Sequence, residues 1–269
     1  MGSRGAPSYL SMAWMPEFSL EFSFRRWSAW APAMADVGAW SLWAHKETSL
    51  ADHEEVASVK AMPPLLRRRA HPLGRAALEV LYAPALDYVN QPIVFCGRHG
   101  EIDRSLAIQH ALAEEGRVSP QEFSMSVHNA IPALFLIAKQ SQAPITALSS
   151  ENQLVFSGIT EALTQLADGA SSVILLFCDA PLPTLFNPFI ENEPTCFAFA
   201  LEMTEGKDYR LAYTPPIASL AHEKATSALP PASLLPLLRF VLDETRSALP
   251  LTETADWQLQ RLAPETCRV

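Results

Sequence analysis

Glycine is scarce in this sequence, ten residues in 269, and the scarcity excludes a class of site. A nucleotide cradle needs a backbone approach that glycine alone permits, and no Gly-rich phosphate loop is present. No G-x-S-x-G elbow, no H-E-x-x-H pair and no C-x-x-C pair occurs either. The four cysteines, Cys96, Cys178, Cys196 and Cys267, are scattered without metal-ligand spacing, as small buried hydrophobes of a reducing compartment would be. None of the seven histidines has a partner four residues away. No metal and no cofactor is therefore expected. A formal charge of −9 argues against the basic face that nucleic acid requires, and against an anionic membrane surface. No uncharged apolar run reaches 18 residues, so no membrane span is expected. The N-terminal segment lacks a long apolar stretch and carries Glu17 and Glu21, so no secretory signal is expected and the cytoplasm is the expected compartment. Residues 1–20 read as a poorly ordered extension, with Met12 and Met15 as alternative starts, 21–260 as one domain and 261–269 as a tail.

What is present is a compact apolar composition, 49% apolar and 18% charged, patterned as alternating helices and strands. Trp27, Trp30, Trp40 and Trp43 lie close together and suit packing at the edge of a core. Helical spacing runs through Leu73, Ala76, Ala77 and Val80 of the segment 63–82. A strand at 92–97 ends on Gly97, and a helix over 102–115 is stopped by Gly116. Ser119 or Ser124 caps a nearly all-apolar helix, 125–139, in which His128 reads as a hydrogen-bonded buried residue. A strand at 143–149, a helix at 153–169 and a strand at 171–180 complete an α/β order that predicts helices on the faces of a sheet. CFAFALEM and YRLAYTP alternate as strands and predict a hairpin turning at Gly206-Lys207. A helix at 233–247 and a closing strand ADWQLQRL follow, with Pro-rich connections at 181–194 and 214–233.

The run SVHNAIPALFLIAKQSQAPITALSSENQLVFSGITEALTQLADGASSVILLFCDAP, with PPLLRRRAHPLGRAALEVLY and FCGRHGEIDRSLAIQHALAEEGRVSPQEF upstream, resembles a β-ketoacyl synthase over about residues 20–260. The resemblance implies a thiolase-like layered fold, helices on both faces of a mixed sheet, with a reduced second half because the chain stops at Val269. In that family a cysteine stands at a helix N-terminus, where the dipole favours its thiolate. Aligning APITALSSENQ on that elbow puts Asn152 in the cysteine's place with Glu151 before it, and an amide cannot be acylated as a thiolate is. The paired histidines of an active synthase are missing too, since His222 is the only histidine after Asp179 and no Gly-rich turn flanks it.

An amide at the cysteine position resembles the chain-length factors of aromatic polyketide systems, in which Glu-Gln stands there. The resemblance therefore implies a non-catalytic subunit that pairs with an active β-ketoacyl synthase of the aryl-polyene type, and meets the acyl carrier protein through that partner. By the same resemblance Ile145, Thr146, Ala147 and Leu148 form the interface strand, and Leu106, Ile108, His110 and Leu112 close the acyl tunnel. Arg67, Arg68, Arg69 and Arg75 would face the acidic carrier protein. Two other readings stay open. One is a residual decarboxylase or thioesterase working through Glu151 or Ser150; the other is a stand-alone carrier-binding module.

Overall fold

The computed structural model describes residues 18–34, 36–46, 49–51, 53–86, 90–150, 152–186, 195–214, 233–252 and 256–263. Met12, Met15, Glu151, His222, Cys267 and most of both Pro-rich stretches lie outside the described residues. The elements in order are β1 (Phe18–Trp30), α1 (Val37–His45), α2 (Pro64–Arg67), α3 (Pro72–Leu81), β2 (Ile93–Gly97), α4 (Ile102–Glu115), α5 (Pro120–Met125) and α6 (Ala130–Lys139). They continue with β3 (Ile145–Leu148), α7 (Leu154–Ala167), β4 (Val173–Asp179), β5 (Phe197–Tyr213), α8 (Leu235–Leu242), β6 (Ala248–Pro250) and β7 (Trp257–Arg261). Residues 18–20, grouped with the extension on sequence, are the exposed start of β1.

The strands form one mixed seven-stranded sheet in the order β3-β2-β4-β5-β7-β6, with β1 paired to β5. β3, β2 and β4 are parallel, whereas the other pairings are antiparallel. Every residue of β2 and β4 is buried, as strands covered on both faces must be. Their side chains alternate between two cores. Val94, Cys96, Leu175 and Phe177 face the layer with Trp40, Ile159 and Leu237, while Ile93, Phe95, Ile174 and Leu176 face Leu78, Ile131 and Phe135. α1, α7 and α8 thus cover one face, and α3 and α6 the other. Trp40 and Trp43 meet edge to face at 5.5 Å in the first layer, with the Arg239 guanidinium 4.5 Å above Trp43.

Three sequence expectations are corrected by tertiary packing. The apolar stretch at 125–139 is broken into α5 and α6, and His128 sits half-buried in the turn between them rather than inside a buried helix. The helical spacing through Leu73, Ala76, Ala77 and Val80 belongs to α3, which Pro72 at its first position starts after the extended His71, with the short α2 before it. The last helix is shorter than 233–247: α8 ends at Leu242, a turn follows at residues 244–245, and β6 begins just beyond the span. The predicted hairpin does not exist: β5 is a single 17-residue strand. β1 pairs with both halves of it, and the register jumps from Phe22↔Tyr209 to Ser23↔Thr204, so Gly206 lies in a four-residue irregularity, 205–208, that β1 does not pair. Gly206 is needed there because a Cβ would overlap the Ser23 side chain.

Candidate functional site

The carboxyl ends of the parallel strands converge in one place, where ligands bind in sheets of this kind. β3 runs through Leu148 to Ser149 and Ser150, and Asn152 follows on an exposed bend before α7. A 14-residue helix therefore directs its N-terminal dipole at the segment carrying Asn152. Ser150 Oγ accepts from Gln153 N at 3.3 Å, and Ser149 Oγ donates to the Arg98 carbonyl at 2.6 Å. Neither hydroxyl is bonded to a described histidine. Glu151, the other chemical candidate, is outside the described residues.

The next strand ends contribute residues that sequence reading passed over. Arg98, just after β2, and Asp179, the last residue of β4, form a buried ion pair through Arg98 Nε and Asp179 Oδ2. Burial raises the Asp179 carboxyl above its ordinary value, opposed by the Arg98 charge and hydrogen bond. His99 is half-buried and its Nε2 has no hydrogen-bond partner among the described residues; burial lowers its pKa. Gly100, at φ +56°, lets the ring of His128 close over it. His128 Nε2 is 3.0 Å from the Leu148 carbonyl and so donates to it, clamping the end of β3. The sequence signal was a run of charge, Arg98-His99-Gly100-Glu101, placed directly after a fully apolar strand.

The described cysteines are unsuited to nucleophilic work. Cys96 and Cys178 are fully buried in β2 and β4, and Cys196 precedes β5. Burial pushes the Cys96 and Cys178 thiols up and raises Cys196 to about 12, with Asp179 adding to the last two. All three stay protonated and inert at neutral pH. Among the described residues, no group of three His, Cys, Asp or Glu side chains could hold a metal ion. No described helix is long and apolar enough to cross a membrane.

The remaining candidates fall apart in space. β3 is the sheet edge beyond β2, and Ile145, Thr146, Ala147 and Leu148 are all half-buried. Leu106 and Ile108 are half-buried on α4, whereas His110 and Leu112 are exposed, so none of the four belongs to the core. Arg68 and Arg69 are exposed. Arg67 and Arg75 are half-buried, donating to the Val59 and Ala70 carbonyls at 3.3 and 3.2 Å.

Known proteins match this architecture. A chain of the complex of the ketosynthase ApeO with its chain length factor ApeC from Xenorhabdus doucetiae superposes with a TM-score of 0.77 at 21% identity. The match covers 90% of this chain and 100% of that one. The ishigamide ketosynthase/chain length factor gives 0.57 at 10% identity, over 71% of this chain and 66% of the other. The type II polyketide synthase complex AntDE:AntF, an acyl-carrier protein with its ketosynthase bound to the hexaketide, gives 0.52 at 15% identity, over 72% and 67%. Identities this low speak for the thiolase-like fold alone. No curated protein matches the sequence. The profile of the β-ketoacyl synthase N-terminal domain covers residues 40–260, most of the chain, and with it the chain belongs to the β-ketoacyl synthase family.

Proposed function

We propose that this chain is a non-catalytic, chain-length-factor-like subunit that pairs with an active β-ketoacyl synthase and shapes its acyl tunnel in aryl-polyene-type biosynthesis. The observation that carries the reading is Asn152 on the bend between β3 and α7, at the position of the synthase cysteine by resemblance. An amide there leaves the acyl transfer without a nucleophile, and the buried, protonated thiols of Cys96, Cys178 and Cys196 do not replace it. The half-buried edge strand β3 supports an obligate partner, since an unpaired apolar edge is an aggregation hazard. The ApeO–ApeC complex supports the same reading, because there a ketosynthase is bound to its chain length factor. In the proposed assembly α4 faces the tunnel with Leu106, Ile108, His110 and Leu112, and Arg68 and Arg69 remain open to an acidic carrier protein.

The test is co-purification with a co-expressed synthase, followed by intact-mass spectrometry of both subunits after incubation with an acyl thioester. The expected result is a stable heterodimer acylated on the partner alone. A stoichiometric adduct on this chain would overturn the non-catalytic role and favour a residual acyl-processing enzyme.

A further inference from the structure

We infer that Arg104 is the positioning residue of α4, a single buried guanidinium that sets how this helix presents its apolar side chains. The inference rests on the reading of α4 as the tunnel-facing helix.

A surface helix is usually oriented by an apolar stripe pressed into the core. α4 has no such stripe: of its 14 residues Arg104 is the one that is buried, at 2% exposure, while Leu112 stands 55% exposed. Its seat is polar instead. Arg104 Nη1 bonds Glu122 Oε2 on α5, Nη2 donates to the Arg69 carbonyl at 2.9 Å, and Nε lies 3.5 Å from Glu101 Oε2. His71 Nδ1 is 3.7 Å from the same Glu101 oxygen, and the Gly74 backbone donates to that carboxylate. One planar fork thereby ties α4 to α5 and to the link between α2 and α3, and Glu101, the N-cap residue of α4, carries the tie on to Gly74 of α3. Lysine, a point charge, lacks the planar fork that reaches Glu122 and the Arg69 carbonyl together while Nε faces Glu101. The Arg69 carbonyl also belongs to the basic segment 67–69, so the segment offered to a carrier protein and the tunnel-facing helix share one anchor. The arrangement costs desolvation, and a buried ion network is weak support for stability as such. Its product here is a fixed orientation.

The experiment separates charge balance from positioning. Removing Arg104 alone would strand the buried Glu101 carboxylate and unpair Glu122, so the variant is Arg104→Met with Glu101→Gln and Glu122→Gln, studied in the full chain and in its complex with the partner synthase. Hydrogen exchange of amides 105–115 should accelerate at least tenfold while those of β2 and β4 stay at wild-type rates. The product length distribution from the assembled complex should broaden. Wild-type exchange in α4, or acceleration spread evenly over the sheet, would overturn the anchor. Local acceleration in an intact complex with unchanged products would uphold the anchor and remove the tunnel-facing role of α4 instead. If the triple variant does not fold, Arg104→Lys decides: α4 exchange at least threefold faster upholds the fork, and wild-type exchange refutes it.

Discussion

Gly100 holds a left-handed backbone, φ +56°, in contact with a histidine ring, and two separate costs meet at this one position. An alanine there would be strained by its backbone and would place Cβ 2.8 Å from His128 Nδ1, displacing the ring from the Leu148 carbonyl. Gly100→Ala should lose about 2–3 kcal/mol, the sum of a left-handed L-residue and one hydrogen bond. Gly116→Ala is the control, since φ is +68° but nothing lies within 4 Å, and about 1 kcal/mol is expected. Urea unfolding of both variants checks this, and equal losses would deny the His128 contact any weight. Arg98 and Asp179 invite a second comparison. Arg98→Met strands a buried carboxylate and should cost about 3–5 kcal/mol. Adding Asp179→Asn removes the charge while keeping an acceptor for Ala180 N, so at least half of the loss should return in the same assay.

At the scale of elements the bulge between β1 and β5 decides whether residues 197–213 turn back or run on. Phe22 and Phe24 meet edge to face at 5.2 Å, and Tyr209 packs on them at 6.0 and 5.0 Å. Arg261 reaches from β7 to donate to Tyr209 Oη at 2.9 Å and to the Phe240 carbonyl at 2.5 Å. These contacts hold the strand straight on either side of Gly206, where local sequence favours a turn. Gly206→Ala should overpack the bulge against Ser23 and lose about 1–3 kcal/mol. Ser23→Gly opens that space, so the double variant should be less destabilised than the sum, with a coupling of at least about 1 kcal/mol in a double-mutant cycle. Additive losses would mean that the two backbones do not crowd each other.

For the whole molecule, the buried titrating groups give opposing dependences on pH. Burial lowers His71 and His99 below 6.5. As pH falls through 6.5 the unfolded chain binds protons that the folded chain refuses, so these residues subtract stability until their lowered folded values are passed. Burial raises Glu101 above 4.5 and Asp179 above 3.8, with Arg104 and Arg98 respectively opposing it. Here the folded chain binds protons first, so their contribution grows as pH drops through the raised values and is complete below the ordinary ones. Replacing His71 and His99 by Asn should therefore flatten the melting temperature just below pH 6.5 and leave the acidic limb intact. Thermal scans of wild type and variant between about pH 8 and pH 4 measure this. A variant curve parallel to wild type throughout would show that neither histidine is a net proton refuser.

The layered α/β order is legible before folding, because it is written in short-range pattern. The unbroken apolar runs of β2 and β4 need cover on both faces, and Gly116, taking the left-handed φ at the end of α4, stops that helix wherever it packs. Residue identity also determined the chemistry offered on the bend between β3 and α7, since Asn152 is an amide in any fold. What tertiary structure alone decided depends on partners far apart in the chain. Arg98 finds Asp179 81 residues on, and Arg104 finds the Arg69 carbonyl 35 residues back. Periodicity cannot see such pairs, so it reads Arg104 as an ordinary charge on a surface helix. The same blindness made a hairpin of β5, whose turn propensity at Gly206-Lys207 is overruled by pairing with β1, a strand that begins 179 residues earlier at Phe18 against Phe197. Local preference is worth about 1 kcal/mol per residue, and a continuous strand partner with an aromatic cluster outweighs it.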